Sequence, residues 1–277
     1  MAIIKHKQEL NVHKQEDSFK GLSNVERRAR ILDVLRTNGR IVAAELAQRF
    51  GVSEDSIRRD LRDLANEGLI VRVHGGALPR TPVTANYLER ESKSAAEKLA
   101  IARATVNLLQ DNQVVAIDGG TTPLRVAEQL PVDLHITVVT HALPVALALS
   151  SHPHARVVII GGTVLKESLS TVGATTVDAY RRVRADVCIL GMASLDPQFG
   201  IGVLNQDDAD VKRAMVEGST KVVAVVGSEK LGTASPFVVA PAAALTHLVT
   251  DARASEELVR SYAEVGIEVI CAAAEEQ

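Results

Sequence analysis

Arg58 and Arg59 stand side by side at the end of the stretch 41–60, IVAAELAQRFGVSEDSIRRD. A guanidinium fork donates two parallel hydrogen bonds to O6 and N7 of guanine, or pairs with a phosphate. Ser53 and Ser56, just upstream, add hydroxyls suited to a helix cap, a base edge or a phosphate. Arg72 and His74 follow in LIVRVHGGA, placed to reach an adjacent nucleic-acid backbone or a minor groove. A second chemistry is written in Asp118-Gly119-Gly120-Thr121-Thr122. Glycines let a backbone approach an anion closely, successive N–H groups can point at it, and threonine hydroxyls add donors. Thr140-His141 and Gly161-Gly162 follow two further apolar runs, and Asp208, Lys212 and Lys230 bring charge to the same half of the chain.

The elements that must position these residues can be read from periodicity. Ile31, Leu32 and Leu35 form the apolar stripe of one helix, which stops at Asn38-Gly39. Residues 43–50 make a second helix, with Leu46, Ala47 and Phe50 inward. Gly51 gives a tight turn, Ser53 caps a third helix, and Ile57, Leu61 and Leu64 are its buried stripe. Two short helices across such a turn, with a basic second helix, are the layout of a helix-turn-helix DNA reader. The run 69–73 and Gly75-Gly76 predict a β-hairpin behind the third helix, hence a winged helix. The competing reading of Arg58 and Arg59 is a solvated helix face paired with Asp60 or Asp63. The turn, the cap and the wing together favour DNA.

From residue 95 onward the pattern alternates. Helices are predicted over 95–109, 124–130, 144–149, 175–180, 208–217 and 255–263, and strands over 114–117, 136–140, 157–160, 187–190, 222–226, 247–250 and 265–270. Short apolar strands alternating with helices imply a mostly parallel sheet covered on both faces, whose ligands sit at the strand carboxyl ends. The 118–122, 140–141 and 161–162 segments all fall there. By itself the Gly-Gly-Thr-Thr run is equally compatible with a plain strand-to-helix turn. The expected organisation is a flexible arm over 1–23, a winged helix-turn-helix over 24–79, a linker over 80–94, which carries Pro82, and an α/β domain over 95–277.

Charge follows the same division. Residues 1–80 hold 15 Lys and Arg against 11 Asp and Glu, hence +4; residues 81–277 hold 16 against 23, hence −7. A small basic module joined to an acidic one fits a DNA reader attached to something else. The 46% hydrophobic content supports substantial cores. No apolar run reaches the roughly 18 residues of a membrane span, and the polar first twenty residues lack a signal-peptide core, so a cytoplasmic protein is expected. Cys188 and Cys271 are read as reduced thiols, and the His152-Pro153-His154 run as a solvated loop; no metal or cofactor is expected.

The stretch 28–77 resembles the DNA-binding domain of the DeoR family of bacterial transcription regulators. The matching pieces are Ile31-Leu32, Glu45-Leu46-Ala47, Val52-Ser53, Ser56-Ile57-Arg58-Arg59-Asp60-Leu61 and Arg72-Val73-His74-Gly75-Gly76-Ala77. The resemblance implies that the helix with Arg58 and Arg59 enters the major groove, and that Asp60 is a structural partner. It continues through Lys98 with Ile101, the 118–122 run, Val138-Val139-Thr140, Gly161-Gly162, Gly173, Asp186 with Gly191, Lys212 and Lys230. These look like the family's effector domain, similar in fold to ribose-5-phosphate isomerase. A phosphorylated sugar or polyol is the implied ligand. Its phosphate would lie on the 118–122 loop and Lys230, and its hydroxyls near Asp118, Thr140 and the 161–162 loop. Lys212, on a helix, is read chiefly as a surface ion pair. Two positions depart from the family: His141 replaces the usual Asn, and Gln206-Asp207-Asp208 stands where Glu is frequent.

The leading expectation is therefore a DNA-binding regulator, a repressor of a carbohydrate operon, acting as a dimer or tetramer and retuned by a sugar phosphate. The alternative is a sugar-phosphate isomerase with a fused DNA module, using Asp118, Asp186 or Asp208 as base. No acid/base pair of defined spacing supports it, and no catalytic residue is assigned.

Overall fold

The structure, a computed structural model, describes residues 22–83 and 87–273. Of the arm expected over 1–23, all but the last two residues lie outside them, as do residues 84–86 of the expected linker. The chain divides into two compact units, Met1–Arg80 and Thr81–Gln277.

In the first unit α1 (Asn24–Asn38) begins with a capping box. Ser23 Oγ accepts from the Glu26 N–H, while the Glu26 carboxylate accepts from the Ser23 N–H. Gly39, at φ 70°, ends the helix. β1 (Ile41–Val42), α2 (Ala43–Phe50) and α3 (Glu54–Asn66) follow, then the hairpin of β2 (Ile70–Val73) and β3 (Gly76–Pro79). Gly51, at φ 65°, makes the turn between α2 and α3. The three strands pair in the order β1-β3-β2. Ile31, Leu35, Leu46, Phe50, Ile57, Leu61 and Leu64 close the core, each contributing about 1.5–3 kcal/mol by burial. β1 and β3 approach so closely at Gly76 that a Cβ there would lie 1.8 Å from the Ile41 carbonyl oxygen.

The second unit opens differently from the linker expected over 80–94. Thr81 is buried and donates its hydroxyl to the Ala193 carbonyl at 2.5 Å, and residues Tyr87–Ser92 form a short helix, α4. Thereafter the elements are α5 (Ala95–Val106), β4 (Val114–Ile117), α6 (Thr121–Glu128), β5 (Ile136–Thr140), α7 (Leu143–Leu149), β6 (Ala155–Ile159), β7 (Thr163–Leu165), β8 (Ser170–Val172), α8 (Ala174–Tyr180), β9 (Ala185–Leu190), β10 (Ser194–Asp196), β11 (Gly200–Val203), α9 (Gln206–Glu217), β12 (Ser219–Val225), β13 (Phe237–Ala240), β14 (His247–Asp251), α10 (Glu256–Glu264) and β15 (Glu268–Ala272).

Seven strands form one parallel sheet in the order β15-β14-β12-β9-β4-β5-β6. Strand alternation divides its core in two. Val115, Ile117, Val187, Ile189, Val223 and Val225 pack toward α5, α6 and α7. Ala116, Cys188, Leu190, Val222 and Ala224 pack on the other face with α8, α9 and Tyr262 of α10. The antiparallel sheet β10-β11-β13 and the β7-β8 hairpin are additions that the alternating pattern did not announce. The sheet's connections run one way from β4 through β5 and β6, and the other way from β9 through β12, β14 and β15. Strand order therefore reverses between β4 and β9, and a crevice opens there beyond their carboxyl ends.

Candidate DNA-binding face and ligand cavity

The first unit presents one cationic helix face. On α3, Arg58, Arg59 and Arg62 are exposed, spaced so that their side chains share one stripe. The buried stripe Ile57, Leu61 and Leu64 faces the core. Arg58 donates to Glu54 at 2.7 Å, one turn earlier, not to Asp60 or Asp63. Asp60 is buried and receives two bonds from Arg27 of α1, at 2.5 and 3.1 Å; Asp63 pairs with Arg28 at 2.9 Å. Both acids thus pin α3 to α1, which leaves the opposite face basic. Ser53 caps α3 by accepting from the Ser56 N–H at 3.2 Å, and the two hydroxyls lie 3.0 Å apart. Arg72 and His74 are exposed on the wing, where Gly75 at φ 77° makes the turn. A groove between α3 and the wing is lined by Arg58, Arg72 and His74. Arg62 was not singled out from the sequence; its spacing of three and four residues from Arg59 and Arg58 is the signal that marks it.

In the second unit a cavity of about 260 Å³ occupies the crevice at the β4/β9 switch. Its floor is the loop Gly119-Gly120 and the first turn of α6, with Gly191, Met192 and Ala193 after β9 opposite. Gly120 sits at φ 130° and α6 has no side-chain cap. The first N–H groups of that helix are thus available to an anion, favoured also by the helix dipole. Lys212 and Asp208 of α9 and Lys230 after β12 complete the polar wall. Gly119 is held to glycine by crowding: a Cβ would meet the Ser170 side chain at 2.8 Å.

Lys212 is buried, contrary to its reading as a surface residue. Its ammonium lies 2.5 Å from Asp118 and 3.4 Å from Asp208. Burial presses its pKa down, but the two carboxylates more than offset this and hold it above the ordinary lysine value. Asp118 also accepts from the Gly191 N–H at 2.7 Å, tying β4 to β9. Burial raises the Asp118 and Asp208 carboxyls and outweighs the Lys212 ammonium, which pulls both down; the Asp118 carboxylate raises Asp208 further. Lys230 donates to the Met192 carbonyl at 3.2 Å, and burial lowers its pKa to about 8.

Thr140, His141, Gly161 and Gly162 do not line this cavity. The Thr140 hydroxyl donates to the Ile117 carbonyl at 2.7 Å, bracing β5 on β4. His141 is fully buried, its Nδ1 2.9 Å from the Tyr180 hydroxyl and its Nε2 3.6 Å from Asp118. Burial and then Lys212 lower its pKa to about 3, so the ring is neutral. Gly162 packs on Thr176, which a Cβ would meet at 2.1 Å, and the Gly161 carbonyl accepts from the same hydroxyl at 3.0 Å. The reason is topological: β6 is the sheet edge, and the chain turns from it into the β7-β8 hairpin. Glu167 and Ser168, at that hairpin's tip, line the cavity instead. Arg90 of α4 and Asn205 also line it. Asn205 had a readable signal, since a polar residue before Asp207-Asp208 is an N-cap pattern; it accepts from the Asp208 N–H at 3.1 Å. Arg90 and Ser168, in segments without a period, had none.

A winged helix with a basic α3, joined to a parallel α/β unit with a cavity at its switch point, defines a DNA-binding transcription regulator with a sensor domain. The DeoR-like helix-turn-helix domain matches residues 27–82, and the DeoR C terminal sensor domain matches 93–252. The chain belongs to the DeoR family. It is 35% identical to the HTH-type transcriptional regulator GlpR of Haloferax volcanii over 88% of this chain and 96% of that protein. It is 32% identical to the glycerol-3-phosphate regulon repressor of Escherichia coli K12 over 76% of this chain and 84% of that one. Among solved structures, ribose 5-phosphate isomerase A from Methanocaldococcus jannaschii aligns at a TM-score of 0.37 and 14% identity, covering 50% of this chain and 55% of that one. No helix among the described residues is long and apolar enough to cross a membrane.

Proposed function

We propose that this regulator is a repressor of a carbohydrate- or polyol-utilisation operon, released from or retuned on its operator by a phosphorylated sugar or polyol in the 260 Å³ cavity. The observation that carries the reading is the uncapped α6 N-terminus at a glycine loop, faced by Lys212 and Lys230. An anion there would meet backbone N–H groups, two threonine hydroxyls and two ammonium groups, while Asp208 and Asn205 suit sugar hydroxyls. The names of two relatives agree with this ligand class: the glycerol-3-phosphate regulon repressor and the putative aga operon transcriptional repressor of Escherichia coli O157:H7. Asp118 does not contact ligand; it orients Lys212. Thr140, His141, Gly161 and Gly162 act behind the cavity wall.

On the DNA side, Arg59 and Arg62 read or grip the major groove, with Arg58 released from Glu54 on docking. Ser53 and Ser56 meet phosphate, and Arg72 and His74 extend the contact along the wing. The protein works as a homo-oligomer, a dimer or tetramer, matching repeated half-sites. The cavity is read as a binding site and not a catalytic one, since Asp118 does not line it and holds Lys212 and the Gly191 N–H through Oδ2.

A thermal-shift screen of sugars with and without phosphate tests the effector. Saturating ligand at about 100 times its Kd adds roughly 2.7 kcal/mol to the folded state. Phosphorylated compounds alone should raise Tm. A response to unphosphorylated sugars equal to that of their phosphates would overturn the anion reading, and conversion of ribose 5-phosphate to its ketose would overturn the non-enzymatic one.

A further inference from the structure

Beside the cavity lies a second cleft of about 190 Å³, sharing Val83, Arg90, Thr121 and Lys230 with it. Its own lining adds Lys93, Ser94, Lys98, Glu229 and Arg253. Among the described residues that line it, five are cationic and Glu229 is the one acid. Arg253 is matched by Asp251 at 2.9 Å and Glu97 at 3.2 Å. Lys93, Lys98, Arg90 and Lys230 line this one cleft together. The crowding has a cost. Lys98 is held below the ordinary lysine value by burial and then by Arg125 and Arg90, against the opposing pull of Glu229. Lys230 is likewise lowered by burial and then by Arg90, Lys98 and Lys212, again against Glu229.

The backbone is also committed here. Lys98 donates to the carbonyls of Arg90 and Lys93, which folds the α4–α5 connection around its ammonium and leaves one of its three N–H donors. Ser94 sits at φ 51°, a left-handed conformation that a non-glycine residue holds only when its surroundings impose it. Its side chain makes no cap hydrogen bond to α5, and Ser94 itself lines the cleft beside the lysines.

We propose that the effector carries a second anionic group, opposite the one on the 119–122 loop, and that this group sits in the adjoining cleft against Lys93, Ser94 and Lys98. The ligand class is then a sugar bisphosphate, with Arg90 and Lys230 between its two ends. This inference rests on the effector reading above and narrows it.

Calorimetric titration of the full chain with ribulose, fructose and sedoheptulose, each as its monophosphates and as its bisphosphate, tests it. One of the bisphosphates should bind at least about tenfold tighter than either corresponding monophosphate, a difference of about 1.4 kcal/mol. Lys93→Glu, at an exposed position that the fold tolerates, should shrink that ratio toward unity. Tight monophosphate binding with no bisphosphate advantage, or an advantage undiminished in Lys93→Glu, overturns the two-anion inference alone. Failure of every sugar phosphate to bind overturns the effector reading with it.

Discussion

Asp60 shows how little a residue's type says about its role until its partner is known. It stands beside two exposed arginines, yet its carboxylate points inward to Arg27 and locks α3 on α1. The arginines that remain exposed are the ones to remove. Arg59→Ala and Arg62→Ala should each weaken operator binding by about 1–3 kcal/mol if they read bases. If they grip only phosphate, the loss should be uniform across sequences and the salt slope should fall by about one. Unchanged affinity in both variants, measured by anisotropy titration, would remove α3 from the interface. His141 invites the opposite expectation. Because it lies behind the cavity wall, His141→Asn should leave effector affinity within about twofold. It should cost roughly 0.5–1.5 kcal/mol of stability through the lost Tyr180 bond, read by denaturant melting. Lys230 sets a pH dependence. Its ammonium, with a folded pKa lowered to about 8, is charged below that pH and neutral above it. Effector affinity should therefore fall as pH rises from about 7 to about 9, and Lys230→Arg should flatten the profile. The same depression works oppositely on folding: this group's contribution to stability rises between pH 8 and the ordinary lysine value of 10.5.

Among the elements, legibility followed burial on both faces. β4 and β5 were readable over their full lengths because a strand buried on both faces is a continuous β-branched run bounded by turn residues. α6 begins at Thr121 where the pattern suggested 124, since Thr121-Thr122-Pro123 reads as a loop although proline is tolerated in a first helical turn. β10, β11 and β13 escaped notice because they are short, and β11 carries Gly200 and Gly202 with no alternation to see. The same holds for the candidate site. The 119–122 loop and Lys230 were legible from local chemistry, whereas the burial of Lys212 and the retreat of Gly161-Gly162 from the cavity depend on strand order, which no local window contains. Close approach at Gly76 makes an element-level prediction. Gly76→Ala would drive a methyl into the Ile41 carbonyl and should separate β1 from β3. A cost of about 1–3 kcal/mol is expected, with loss of DNA binding and retained effector binding. Wild-type melting and DNA affinity in this variant would show that the β1-β3 contact is not what holds the wing.

At the scale of the whole molecule, the DNA face and the cavity belong to different units, so regulation must work by shifting the population of a DNA-competent arrangement. A ligand can do this only by binding one arrangement better, with a coupling of about 1–3 kcal/mol, equivalent to roughly 5–150-fold in affinity. Reciprocity requires operator DNA to weaken effector binding by the same factor. The proposed homo-oligomeric half-site binding belongs to this level too, and light scattering of the chain with and without operator tests it. The most direct measurement is the affinity of the full chain for operator DNA, selected from a random pool, with and without a saturating sugar phosphate. It should be made in the wild type and in Gly119→Val, whose side chain would collide with Ser170 behind the loop and so displace the 119–122 segment that floors the cavity. Ligand should lower the wild-type affinity by five-fold or more and leave the variant's DNA affinity unchanged. An equal response to ligand in both proteins would contradict this, because the signal would then enter somewhere other than the β4/β9 crevice.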